Sequence, residues 1–215
     1  VWCSGGRYSD WGILMARTNP DVPKHKGISF FLVDMHSPGV ETRPLKQMTG
    51  EAEFDEVFFT DARLPADALL GPLHEGWGVG MTILTNERGS IGAAAIGTQR
   101  RLDALAALGD DGLDPVETQR LMRLLAQGMS YRYMGQRQGP AASIGSSLNK
   151  LGITELMFAT AELRADIAGA EAMLTGHGSS ALLAAPGGRI AGGSSQVQRN
   201  IIGERILGLP KEPSP

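Results

Sequence analysis

The hydrophobic period of the chain changes near residue 65. Before that point apolar residues come in short runs. Residues 11–18 (WGILMART), 28–35 (ISFFLVDM), 40–47 (VETRPLKQ) and 54–60 (FDEVFFT) are rich in β-branched and aromatic side chains. Turn-forming pairs separate them: Asn19-Pro20, Lys26-Gly27, Ser37-Pro38-Gly39 and Thr49-Gly50. Val40-Glu41-Thr42-Arg43 alternates as a half-buried strand should, and the ISFFLV run reads as buried on both faces. No helical segment intervenes, so the strands predict an antiparallel sheet or barrel, not βαβ units.

From about Gly76 the period becomes helical. Met81, Leu84, Ile91, Ala95, Leu102, Leu105 and Leu108 mark one stripe over residues 77–108. A second helix starts at Asp114, with Pro115 in its first turn and Glu117 placed to complete a capping box, and runs to about residue 138. A third covers about 143–175 through Leu148, Leu151, Leu156, Phe158, Leu163 and Ile167. A fourth opens at Gly193-Ser194-Ser195, with Ser195 and Gln198 spaced as a capping box. It stops at Leu207-Gly208, with Pro210 beyond. The fold class this predicts is α+β, an antiparallel β-sheet or barrel domain followed by an up-and-down four-helix bundle. The expected domains are residues 1–72, 73–209 and a short tail, 210–215. The joint falls in the Pro-rich segment 64–76.

The 215 residues carry 20 Lys and Arg against 23 Asp and Glu, a net charge of −3, and 42% are apolar. That is enough to bury a core, and too little basic charge for a nucleic-acid or polybasic membrane partner. The single cysteine, Cys3, rules out an intrachain disulfide and a Cys-rich zinc site. No apolar run reaches the ~18 residues of a spanning helix. The chain opens on Val1, and Val1-Trp2-Cys3-Ser4 already has the look of a strand, so it reads as a fragment lacking its N-terminus.

The chemistry-bearing motifs are few. There is no Walker loop and no G-x-S-x-G elbow, and Gly76-Trp77-Gly78-Val79-Gly80 lacks the βαβ context of a dinucleotide fingerprint. His25, His36, His74 and His177 are scattered without metal-ligand spacing. Glu87, beside Arg88, is a carboxylate in an otherwise apolar helical stretch. Such a group can have a raised pKa and act as a base, or it can form a local ion pair on a solvated face. Gly192-Gly193-Ser194-Ser195-Gln196 can cradle a phosphate at a helix start, or simply cap the helix.

Several segments, in order, resemble the flavin-dependent acyl-CoA dehydrogenases. They are Trp2-Cys3-Ser4-Gly5, Gly27-Ile28-Ser29-Phe30-Phe31-Leu32-Val33 with Pro38-Gly39-Val40, Phe54-Asp55-Glu56-Val57-Phe58-Phe59 leading to Leu64-Pro65, Gly76-Trp77, and Ser194-Ser195-Gln196-Val197-Gln198-Arg199-Asn200-Ile201-Ile202. The resemblance covers the middle β-domain and the C-terminal helical domain of that family. It implies FAD as cofactor and an acyl-CoA thioester as substrate. A glutamate removes the α-proton, the β-hydrogen leaves as hydride to flavin N5, and the product is a trans-2-enoyl-CoA. It further implies an electron-transferring flavoprotein as partner, a homo- or hetero-tetramer and a bacterial cytoplasmic setting.

Carried onto this chain, the resemblance places Trp2 beside the flavin ring, Ser4 near flavin N5, and Ser194 and Gln196 against FAD. Many members carry the base at the position of Gly192, where this chain has none. A subset carries it on the helix where Glu87 lies, so Glu87 becomes the expected base. Arg88 and the Gly192 backbone N–H are then expected near the substrate. Two family motifs are missing, an Arg-x-x-Phe-Gly near residues 108–113 and a Gln-x-x-Gly-Gly-x-Gly-Tyr where Gly176-His177-Gly178-Ser179 stands. These departures fit a divergent bacterial subgroup, some of whose members pair two different subunits with only one supplying the base. The alternative expectation is therefore a non-catalytic partner subunit. The fragment alone is expected to be inactive.

Overall fold

The computed structural model describes residues 1–89, 100, 102–136 and 140–211, less the side chains of 84–89, 110, 111, 140–144, 146 and 177. Two compact units result, Val1–Gly89 and Ser90–Pro215.

The first unit holds two three-stranded antiparallel sheets. One orders β1 (Cys3–Ser4), β5 (Phe54–Phe59) and β4 (Val40–Leu45); the other orders β2 (Trp11–Arg17), β3 (Ile28–Asp34) and β6 (Leu69–Leu70). Register runs Cys3↔Asp55 and Val40↔Phe59 in the first sheet, and Trp11↔Asp34 to Arg17↔Ile28 in the second. The four expected strands form close to their expected limits. β6 lies inside the segment read as the joint and pairs Phe30 with Leu70. The ISFFLV run is not buried on both faces along its whole length. Phe30 and Val33, on opposite faces, are buried, whereas Leu32, on the same face as Phe30, is 37% exposed; the glycines of α1 that approach β3 do so at Ser29 and Phe30.

Helix α1 (Gly76–Gly89) packs on β3. The glycine-rich motif makes this approach possible. A Cβ on Gly76 would sit 2.6 Å from the Ser29 carbonyl carbon, and one on Gly80 would sit 3.2 Å from the Phe30 ring. These glycines are packing devices, as a close helix–strand contact requires. The loop before α1 is tied down at His74, whose N–H donates to Ser29 Oγ (2.8 Å) while its Nδ1 lies 2.8 Å from Thr18 Oγ1.

The second unit is helical. Residues 102–106 are helical and pass into a 3₁₀ turn, Ala107–Asp111, at the end of the expected stripe, whose Ile91 and Ala95 lie outside the described residues. α2 (Pro115–Gly135) begins as the sequence demands. Asp114 Oδ1 accepts from the N–H of Val116 (2.7 Å) and Glu117 (2.8 Å), and Glu117 reaches back to the Asp114 N–H. α3 (Pro140–Ala168) stops seven residues short of the expected end, where Gly169 turns left-handed at φ 54. α4 (His177–Ile190) was not legible in the apolar pattern. α5 (Ser195–Asn200) runs on into a π-helical stretch, Ile201–Ile206. Its N-cap is Ser194, one residue earlier than expected. Ser195 is already helical and buried, so it cannot serve as the cap.

Leu105, Leu121, Leu124, Leu156 and Leu163 form the core of this unit. Gly128 leaves room for Leu102 and Leu156, and Gly152 for the Tyr131 ring. Full burial of a leucine contributes about 1.5–3 kcal/mol. The architecture is thus α+β, antiparallel sheets followed by a region of several helices.

Candidate functional site

In the first unit, Trp2 and Ser4 lie on and beside the short edge strand β1. Trp2 is 63% exposed, has φ 65, and sets its indole edge-on against Phe54 with ring centres 5.6 Å apart. Ser4 is exposed. Two residues of strand fix little by themselves, and the anchor is Asp55. It is fully buried and accepts from the Arg7 backbone N–H at 3.0 Å and from the Arg7 guanidinium at 3.4 Å. Arg7 also donates to the Ala52 carbonyl. Gly5 (φ 59) and a 3₁₀ turn, Gly6–Tyr8, bring Arg7 round to this carboxylate. The exposed indole and hydroxyl are thereby held on a stiff base. The pairing escaped sequence reasoning because Arg7 and Asp55 are 48 residues apart.

Glu87 and Arg88 lie on the last turn of α1, whose backbone is helical through Gly89. Their side chains fall outside the described residues.

In the second unit, the connection from α4 to α5 is built around two left-handed glycines, Gly192 (φ 65) and Gly193 (φ 95). The Ser194 hydroxyl accepts from the Val197 N–H at 3.3 Å. Gln196 is exposed. The buried Gln198 donates through Nε2 to the Gly192 carbonyl at 3.1 Å, while its Oε1 is buried without a partner among the described residues. The first N–H groups of a helix have no intrahelical acceptor and are available to an anion.

Side chains from α3 surround this connection. Lys150 Nζ donates to the Gly193 carbonyl at 2.5 Å and lies 3.4 Å from the Arg189 carbonyl. Burial pushes the Lys150 ammonium below its ordinary pKa, and the Glu155 charge pulls it back up. Glu155 accepts from Arg189 at 2.5 Å and from the Ser195 hydroxyl at 3.2 Å, with Arg199 at 4.0 Å. The Arg189 guanidinium stacks 3.6 Å from the Phe158 ring centre. Three cations therefore face one carboxylate beside the glycine turn, which favours an anionic occupant. Of the site residues expected from the sequence, Gly192, Ser194 and Gln196 fall together here. Lys150, Glu155 and Arg189 were missed; for Lys150 and Glu155 the available signal was charge inside the apolar pattern of α3.

An α+β protein of antiparallel sheets followed by helices, ending in a glycine turn that opens a helix, is the class these features define. Residues 116–207 match the family model "Acyl-CoA dehydrogenase, C-terminal domain". Two Mycobacterium tuberculosis acyl-CoA dehydrogenases are similar to the chain. FadE34 is 34% identical over 98% of the chain and 30% of its own length, and IpdE1 is 36% identical over 99% of the chain and 58% of its own length. A solved structure of the ChsE4-ChsE5 complex from the same organism is 25% identical, covers 99% of the chain and 60% of that chain, and superposes with a TM-score of 0.80. The chain belongs to the acyl-CoA dehydrogenase family, and it spans 30% and 58% of the lengths of these two curated relatives. Among the described residues, no helix is long and apolar enough to cross a membrane.

Proposed function

We propose that the protein carrying this chain is an FAD-dependent acyl-CoA dehydrogenase with Glu87 as its base. The observation that carries the reading is the 192–196 connection, on a chain that belongs to this family: left-handed glycines, a capping serine, an exposed glutamine amide and an excess of neighbouring cations. This donor set fits a pyrophosphate, and Gly192 and Gly193 keep side chains out of the turn. The exposed Trp2 indole and Ser4 hydroxyl fit the flat, polar-edged ring system of a flavin. Trp2, Ser4, Ser194 and Gln196 are the residues that would hold FAD. Bound FAD would supply the acceptor for the β-hydrogen as hydride, with an electron-transferring flavoprotein drawing off the electrons.

The chain's own task is the proton. A thioester α-proton is weakly acidic, so its removal needs a positioned base and a polarised carbonyl. Glu87 takes the α-proton, and the Gly192 N–H donates to the thioester oxygen where charge develops. Arg88 adds a positive charge next in sequence to the base.

The test uses the full protein, followed anaerobically by flavin absorbance as acyl-CoAs are added. Bleaching is expected, and Glu87→Gln should slow it by about 10²–10⁴-fold with FAD still bound. A rate within tenfold of wild type removes Glu87 from the mechanism.

A second reading is a partner subunit that lacks the base. Gly192 favours it, since it offers no carboxylate where many members carry one, as does the likeness to a chain of a ChsE4-ChsE5 complex. Turnover that appears only with a related second chain, and survives Glu87→Gln, would establish it.

A further inference from the structure

The 192–196 connection contains two successive glycines in left-handed backbone. Glycine pairs lose more conformational freedom on ordering than any other dipeptide, so nothing intrinsic keeps this stretch in one shape. The stiffness has to come from outside. Two side chains of α3, Lys150 and Glu155, each reach both flanks of the connection. Lys150 binds the Arg189 carbonyl, in the last turn of α4, and the Gly193 carbonyl, just before the cap of α5. Glu155 binds the Arg189 guanidinium on the α4 side and the Ser195 hydroxyl on the α5 side. Gln198 closes the loop from within, on the Gly192 carbonyl. A lysine that served only to join helices would not need to hold the turn's own Gly193 carbonyl.

We infer that Lys150 and Glu155 are positioning residues, a two-point clamp that fixes the backbone orientation of residues 191–196 and hence the aim of their N–H groups. The clamp itself stands on the geometry. Its effect on catalysis rests on the dehydrogenase reading above. Lys150 makes both contacts with one ammonium; the Gly193 carbonyl it holds shares a planar peptide unit with the Ser194 N–H, and the Gly192 carbonyl held by Gln198 shares one with the Gly193 N–H.

The experiment compares the full-length holoprotein with Lys150→Met and Lys150→Arg by amide hydrogen exchange and by acyl-CoA-dependent flavin reduction. In Lys150→Met, exchange across residues 190–198 should quicken about tenfold while the segment around Leu121 and Leu124 keeps its protection. The reduction rate should fall by about ten- to a hundredfold with substrate affinity little changed, as misaimed donors predict. Lys150→Arg, which keeps a cationic donor, should recover most of both. Unchanged exchange in Lys150→Met overturns the clamp. Quickened exchange with an unchanged reduction rate overturns its positioning role.

If Lys150→Met unfolds globally, Ser195→Ala takes its place. It removes one hydroxyl bond to Glu155 and must quicken exchange over the same segment, or the proposal fails. Wild-type protein that no acyl-CoA reduces, with exchange still quickened in the variant, would discard the dehydrogenase reading and leave the clamp standing.

Discussion

Gly192 and Gly193 are adjacent and both left-handed, yet they differ in what surrounds them. A Cβ at 192 meets only the Lys150 side chain, at 3.9 Å. A Cβ at 193 meets Gln198 Nε2 at 2.7 Å, and Gln198 is buried and already bonded to the Gly192 carbonyl. Gly192→Ala should therefore cost only the left-handed penalty, about 1–2 kcal/mol. Gly193→Ala should cost about 1 kcal/mol more, for the hydrogen bond that Gln198 must give up. Urea unfolding of the two variants checks this, and equal losses would show that Gln198 swings away freely. At this scale the sequence was informative about which residues matter in the turn. It could not reveal that Ser194, not Ser195, is the cap, because either serine satisfies the local spacing. The choice is made by Glu155, 40 residues away, which engages the Ser195 hydroxyl.

Elements were legible where local chemistry alone decides them. β2 to β5 follow from β-branched and aromatic runs cut by turn residues, and α2 from a complete capping box. α4 was not legible because Gly178, Pro186, Gly187 and Gly188 are helix breakers by propensity. Its helical state depends on packing against α3, which no local pattern encodes. β6 has two residues, too short for any period to show. The anchoring of β1 belongs to the same class of hidden feature. Asp55 is 0% exposed, and its charge is balanced by Arg7. Arg7→Met would leave that carboxylate buried with only a backbone N–H. The expected loss is about 2–3 kcal/mol, toward the low end for breaking a buried pair since one donor survives. With Trp11 and Trp77 replaced by phenylalanine, the exposed Trp2 gives a local probe. Its fluorescence should change well before global unfolding in the variant. A simultaneous transition would mean that β1 does not depend on this pair.

Considered as a whole molecule, the chain carries an apolar face on an edge strand. β2 ends its sheet, and Trp11, Ile13 and Met15 are 61%, 55% and 48% exposed at alternate positions. Leu32, directly paired with Ile13, extends the stripe onto β3. Side chains two apart share a face, so these four form one continuous patch beside a strand edge that has no sheet partner among the described residues. Such an edge is a template for pairing with another chain. The 215-residue chain on its own should therefore associate as its concentration rises and should bind a hydrophobic dye. Ile13→Lys places a charge in the middle of the stripe and should reduce both effects. Its melting temperature should stay within a few degrees of wild type, since surface substitutions away from buried features change stability by about 0.5 kcal/mol or less. Analytical ultracentrifugation across a concentration series reads the outcome. A wild-type chain that stays monomeric without binding dye would mean the edge is already blunted, by its twist or by its neighbours. A variant that associates as strongly as wild type would move the contact to another face.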